Sequence, residues 1–286
     1  MRANERFRHQ GLDFWAAVKL VSQEVGYTMK KTKTIRVPTI DEIVGVLEKR
    51  GLRKDKVVSR HGIMAQGQLL LDYFQHRADV LNNQVQHSLM RLEEAQALYA
   101  DLRAMHSPTW PVPMNKQKGE KKQPLILTGM VNALLEAHLQ GKPCAHNPGE
   151  LITFVSDGHV HRTLSRRVDG AFPGTTEPIA MWEIKEYYYT KTFGSRVADG
   201  VYESLLDGLE LREVRESLNR SVDHVLVVDD HFTWWIKGKS YLCRIIDMLH
   251  MGVVSEAIFG REVVERIPVL ANEWANNEAL HTRPDY

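Results

Sequence analysis

Cysteine is scarce in this chain. Two of its 286 residues, Cys144 and Cys243, stand far apart without CxxC spacing. That excludes a disulfide framework and a cysteine-based zinc module, and it fits a reducing cytoplasm. Long apolar runs are missing as well: nothing approaches a signal h-region or a membrane span, and the first ten residues, MRANERFRHQ, are charged. The expectation is a chain neither secreted nor inserted. Neither sign of charge dominates, since 37 Lys and Arg against 36 Asp and Glu leave a net charge of +1. Affinity for a polyanion therefore has to come from local basic patches, and these lie at 29–36, 50–60, 115–122 and 162–167. Neither GxxxxGK[ST] nor GxGxxG occurs, which sets aside an intrinsic nucleotide motor and a dinucleotide enzyme.

What is present has the make-up of a globular protein, with 43% apolar and 26% charged residues. That is enough to bury a sizeable core in one large domain or two ordinary ones. The pattern divides into a helical region over 1–105, a basic Pro-rich linker or mobile loop over 106–124, and a second domain over 125–286. Residues 12–25 carry apolar positions at helical spacing. PTIDEIVGVLEKRG (38–51) predicts a short helix with Thr39 and Glu42 as a capping box and Gly51 at its end. Between them MKKTKTIRV suits a strand or a phosphate-facing loop. Over 64–105, Leu71, Phe74, Ala78, Leu81, Val85, Ser88, Leu92, Ala95, Tyr99 and Leu102 follow alternating steps of three and four. This heptad seam predicts one long helix, either packed on its own chain or pairing two protomers as a coiled-coil arm. Four prolines in HSPTWPVPMNKQKGEKKQP (106–124) end it.

The second half changes character. LILTGMVNALLEAHLQGK (125–142) predicts a helix. ELITFV and VHRTLSRRVDGAF (160–172) predict a hairpin turned by Asp157-Gly158, and PIAMWEIKEYY a third strand. Residues 196–218 predict a helix, VDHVLVVDD a buried strand, FTWWIKG a further strand, and SYLCRIIDMLHMGVVSEAIF a closing helix. The order α, β, β, β, α, β predicts an α/β (α+β) core with a mixed sheet, extended by helical additions.

In MWEIKEYYYT (181–190) a glutamate and a lysine interrupt an apolar strand. Strand side chains alternate, so Glu183 and Lys185 share one face while Trp182 and Ile184 take the other. Asp169 ends the preceding strand. Two carboxylates and an ammonium on one surface suit a hard divalent cation and an attacked phosphodiester. In this reading Asp169 and Glu183 hold Mg2+ (or Mn2+) with the Ile184 carbonyl, while Lys185 orients or deprotonates a water and offsets transition-state charge.

Through Asp169, Glu183-x-Lys185 and the element order over 125–235, the chain resembles the PD-(D/E)XK nuclease superfamily, the restriction-endonuclease-like fold. Val168 stands where that superfamily often has proline. The resemblance implies a magnesium-dependent endodeoxyribonuclease acting on double-stranded DNA, of restriction or phage-defence type, in a bacterial or archaeal cytoplasm. A homodimer cuts both strands most simply, and a methyltransferase or other defence protein is an implied partner. In the superfamily a glutamate of the first core helix often supports the metal; Glu136 is the matching residue, or else an ordinary surface carboxylate. Lys30, Lys31, Lys33, Arg36, Arg166 and Arg167 are basic candidates for contacting DNA. Tyr188, Thr190 and Lys191 either contact it beside the cut or belong to a packed edge. The alternatives are a repair or recombination nuclease of the same fold, and a non-catalytic DNA-binding protein using helices 12–26 and 38–51 as a helix-turn-helix. His159 and His161 lack a third ligand in view, His138 and His146 are scattered, and Asp229-Asp230 reads as a strand-end turn.

Overall fold

Thr39 opens a helix because its hydroxyl accepts from the Glu42 amide (3.3 Å) while the Glu42 carboxylate accepts from the Thr39 amide (2.9 Å), the reciprocal cap that the sequence predicts. The structure is a computed structural model that describes residues 1–189 and 194–277; Thr190 and Lys191 lie outside the described residues. Its N-terminal part comprises α1 (Glu5–Arg8), α2 (Leu12–Val25), α3 (Ile40–Lys49), the short hairpin β1 (Val58–Ser59) and β2 (Gly62–Ile63), and α4 (Ala65–Val80). Phe14, Trp15, Val18, Ile43, Leu70 and Tyr73 give these helices a core of their own.

The predicted long helix is two helices. After α4 the chain widens into a π-helical turn (Leu81–Val85), closes with α5 (Gln86–Ser88), and breaks at Leu89, whose ψ of 132° is extended. A new helix, α6 (Leu92–His106), then begins. Met90 explains the break: its amide donates to the Asp229 carboxylate (2.9 Å), and its carbonyl accepts from His231 (2.9 Å). The seam is consumed within the chain. Phe74 enters the N-terminal core, Ala78, Leu81 and Val85 pack in a second cluster, and Ala95, Tyr99 and Leu102 in a third. A coiled-coil arm through these residues is therefore excluded.

From α7 (Ile126–His138) onward the chain builds a five-stranded mixed sheet in the order β3 (Ala145–His146), β6 (Gly170–Phe172), β7 (Ala180–Glu186), β8 (Asp223–Asp229), β9 (Glu256–Phe259). The first three strands run antiparallel to their neighbours and the last three parallel. The expected hairpin forms, with Asp157 (φ 51°) and Gly158 (φ 76°) supplying the positive φ pair of its turn. Its strands, β4 (Thr153–Ser156) and β5 (His159–Thr163), make a separate two-stranded sheet. The expected strand 160–172 is cut in two because Ser165 and Arg166 turn away to carboxylates of α8 (Ser195–Leu218). The first strand of the central sheet is instead the two-residue β3.

Two further expectations are corrected. FTWWIKG is a π-helical turn (Phe232–Lys237), because Asp230 accepts from the amides of Phe232 (3.2 Å) and Thr233 (2.8 Å) and turns the chain as β8 ends. The closing helix stops at His250 as α9 (Lys239–His250); Gly252 at φ 68° reverses the chain, and Glu256–Phe259 becomes β9 before α10 (Val263–Ala275).

Helices cover both sheet faces. Trp182, Ile184, Val225, Val227 and Ile258 pack with α6, α7 and α10, while Leu226, Val228, Ala257 and Phe259 pack with α8 and α9. The result is an α/β/α layering in which α6 shares a core with α7. Among the described residues no helix is long and apolar enough to cross a membrane.

Candidate active site

Strand register sets the address of the charged residues. Gly170 pairs with Trp182 in the antiparallel β6–β7 ladder, so Asp169 falls opposite Glu183 and shares its face. The Asp169 amide donates to the Trp182 carbonyl (3.2 Å), and Asp169 Oδ2 accepts from the Ile184 amide (2.7 Å). A strand residue's amide and carbonyl point the same way, so the Ile184 carbonyl also faces this edge, beyond the end of β6. Trp182 and Ile184 side chains lie on the opposite, buried face, as the alternation predicts.

Glu183 and Lys185 lie beneath α8, only 4% and 8% exposed. Lys185 Nζ donates to Glu183 Oε1 (2.6 Å) and Glu203 Oε2 (2.7 Å). Arg166 Nη2 donates to the same Glu183 oxygen (2.6 Å), and Nη1 to Asp207 Oδ2 (2.6 Å). Among the described residues four carboxylates, the buried Glu183 and Asp207, the partly buried Asp169 and the half-exposed Glu203, thus face two cations, Lys185 and Arg166, a surplus of negative charge if all ionise. The pKa shifts register that excess. Burial, and then Glu183, push Asp169 up to about 6. Burial pushes Asp207 up to about 7, with Arg166 opposing and Glu183 adding. For Lys185, burial pulls the ammonium down, but Glu183 and Glu203 outweigh it and the net shift is upward.

Two carboxylate oxygens here, Glu183 Oε2 and Asp207 Oδ1, are buried without a hydrogen-bond partner. On β8, His224 Nε2 is also buried and unpartnered, the ring engaging the Val253 carbonyl through Nδ1 (2.9 Å). Buried acceptors left unmatched are costly and call for an explanation. A divalent cation matches both the charge and the oxygen donors. Among the described residues no three His, Cys, Asp or Glu side chains form a finished cation cage; Asp169, Glu183 and the Ile184 carbonyl are the oxygen set at hand.

The other expected site residues are distributed differently. Both Glu136 oxygens are engaged by the Thr109–Trp110 loop, accepting from the amides of Thr109 (3.0 Å) and Trp110 (3.1 Å), and none of its hydrogen bonds or ion pairs reaches Asp169, Glu183 or Lys185. Tyr188 is packed, its hydroxyl on Asp229, so of its two readings the packed edge holds. Arg36 is tied to Glu42 and to the Val25 carbonyl (3.0 Å). Lys30, Lys31, Lys33 and Arg167 are exposed. Arg166, expected on the surface, bridges Glu183 and Asp207. His161 pairs with Ser217 (3.0 Å), and His146 stacks on Trp110 (4.0 Å).

The sequence reading missed Glu203 and Asp207. Their signal was an acidic stripe, Glu203, Asp207 and Glu210, at steps of four and three along α8, where a helix packed on a sheet ordinarily carries apolar residues.

Residues 90–274 match the family described as Domain of unknown function (DUF7687), and the chain belongs to that family. Residues 1–84 match another described as Domain of unknown function (DUF7690), so the two matches meet where the helix breaks at Leu89. No curated protein and no solved structure matches the chain.

Proposed function

We propose that the chain is a magnesium-dependent endodeoxyribonuclease of the PD-(D/E)XK type, hydrolysing DNA phosphodiesters in restriction or phage defence. The observation that carries the reading is the largely buried surplus of negative charge gathered by Asp169, Glu183, Glu203 and Asp207, with unpartnered carboxylate oxygens beside an ammonium. The order α7, β3, β6, β7, α8, β8, with β8 parallel to β7, supports the αβββαβ core once Ala145–His146 is taken as its first strand.

Asp169, Glu183 and the Ile184 carbonyl would hold the magnesium, which when bound supplies Lewis-acid polarisation of the phosphate and a more acidic water. Lys185, held as an ammonium by Glu183 and Glu203, donates hydrogen bonds that orient the water and balance charge gathering on the phosphate oxygens. That role fits its raised pKa better than proton abstraction does. Arg166 positions Glu183 against α8 through Asp207. A homodimer would use a surface other than the 71–102 seam. The helix-turn-helix alternative draws less support, because the first turn of α3 presents Asp41 and Glu42, the wrong sign for a helix end facing phosphates.

Incubation of purified protein with plasmid DNA and Mg2+ or Mn2+ tests the proposal. Metal-dependent nicking or linearisation is expected, and it should vanish with chelator and in Glu183→Gln. Cutting that persists equally in Glu183→Gln contradicts the assignment.

A further inference from the structure

Away from the carboxylates, the described residues gather cations with no acidic side chain among them. A concavity of about 380 Å³ opens between the turn at 27–33 and the end of the π-helical segment. Four of the described residues lining it are lysines, Lys30, Lys33, Lys237 and Lys239, and none is Asp or Glu. Both walls are built. Lys33 sits at φ 56° in a turn closed by the Lys33 amide on the Met29 carbonyl and the Met29 amide on the Thr34 carbonyl, each 2.9 Å. Opposite, Trp234 and Trp235 are buried and anchor the π-helical turn, which leaves Phe232, Ile236 and Lys237 exposed. Lys237 Nζ stands 5.5 Å from the Phe232 ring centre, and Lys239 Nζ 4.3 Å from that of Trp235. Lys239 donates to the Trp235 carbonyl, yet burial and the nearby Lys33 both disfavour its ammonium.

Lysines as compact point charges suit phosphates, and exposed apolar and aromatic groups beside them suit nucleotide bases. Behind its wall, the fully buried Trp234 packs toward the proposed active site through the protein interior. Trp234 packs on Tyr187 at 5.7 Å between ring centres, and the Tyr187 hydroxyl and the Lys185 stem both crowd Gly200. We infer that this concavity holds the phosphodiester backbone of the DNA substrate away from the carboxylate site, with Lys30, Lys33 and Lys237 on phosphates and Ile236, with Phe232 beside Lys237, next to the bases. The choice of DNA rests on the nuclease reading. The charge surplus does not. Because one wall comes from the segment 1–84 and the other from 90–274, the substrate would span both matched regions.

Fluorescence anisotropy with a short labelled duplex in Ca2+, repeated across salt concentrations, tests the inference in the full-length protein. The triple variant Lys30→Glu, Lys33→Glu, Lys237→Glu changes only exposed side chains. Lys116→Glu, Lys118→Glu, Lys121→Glu, on the exposed loop 115–122, makes the same change in net charge. The first variant should bind at least about 10-fold more weakly, with a salt dependence shallower by about 2 to 3 in log–log slope, and the second should lose much less. Circular dichroism confirms the fold of both. Equal losses in the two variants, or none in the first, overturn the inference, and plasmid cutting by wild type in the same preparation leaves the nuclease reading standing. Wild type that binds through these lysines yet cuts with no metal overturns the nuclease reading and keeps the surface. Wild type that does not bind DNA overturns the surface.

Discussion

Two of the buried charge clusters among the described residues are built on opposite principles. Arg77, 1% exposed, meets Asp247 with Nη1 at 3.0 and 3.1 Å from its two oxygens. Asp247 also accepts from the Tyr73 hydroxyl (2.6 Å), Ser22 accepts from Arg77 Nη2 (3.1 Å), and the guanidinium lies 5.0 Å from the Phe74 ring centre. Charge balances one to one, and the unpartnered atom is a single donor, Arg77 Nε. The cluster stitches α2 and α4 to α9. Between β7 and α8 the described residues set four carboxylates, one of them the half-exposed Glu203, against two cations, and the orphans are carboxylate oxygens. A balanced, hydrogen-bonded buried pair reads as structure. A buried surplus of one sign, with acceptors turned inward, reads as a place for something of the other sign.

The largest expected effect separates the two by chemistry. Lys185→Met or Glu183→Gln should lower metal-dependent DNA cleavage by at least about 10³-fold with the fold retained, whereas folded Asp247→Ala protein should cut at nearly the wild-type rate. Stability should show the reverse. Asp247→Ala strands Arg77 in the core and should cost about 3–5 kcal/mol in denaturant unfolding; a loss below about 1 kcal/mol would erase the contrast. Asp169→Asn keeps an acceptor for the Ile184 amide while removing one charge from the surplus. It should therefore stabilise the metal-free protein at neutral pH, by on the order of 1 kcal/mol.

The smallest effect is the pH slope. Asp169 and Asp207 have folded pKa values near 6 and 7, above their ordinary range. Over roughly pH 4 to 7 the folded state then binds more protons than the unfolded one, and these groups make stability fall as pH rises. Relative to the double variant Asp169→Asn, Asp207→Asn, the metal-free wild type should lose melting temperature as pH rises through that window, a difference that isolates the site from Glu186 and Asp229, also raised to about 7, and from the buried His224 and His250, whose lowered values act in the opposite direction. An unchanged slope would place the surplus elsewhere.

Much of the site was legible because strand alternation is a local rule. The residues Glu183 and Lys185 share a face wherever their strand lies, and Asp169 needs only one ladder register to join them. What escaped depends on distant packing. Arg166 read as a surface base because its partner, Asp207, is 41 residues away. β3 is too short to show a period. The heptad spacing runs on through Leu89, where one amide bonded to Asp229 outweighs helical continuity. FTWWIKG has the aromatics of a strand, but the carboxylate of Asp230 captures its first amides.

Binding of a divalent cation to metal-free protein at neutral pH tests the central claim most directly. Isothermal titration calorimetry with Mg2+ and Ca2+, paired with melting curves, should show one cation bound per wild-type chain with a rise in melting temperature, and neither response in Glu183→Gln or Asp169→Asn. Wild type indifferent to both cations, or a Glu183→Gln protein that responds as wild type does, would contradict the account.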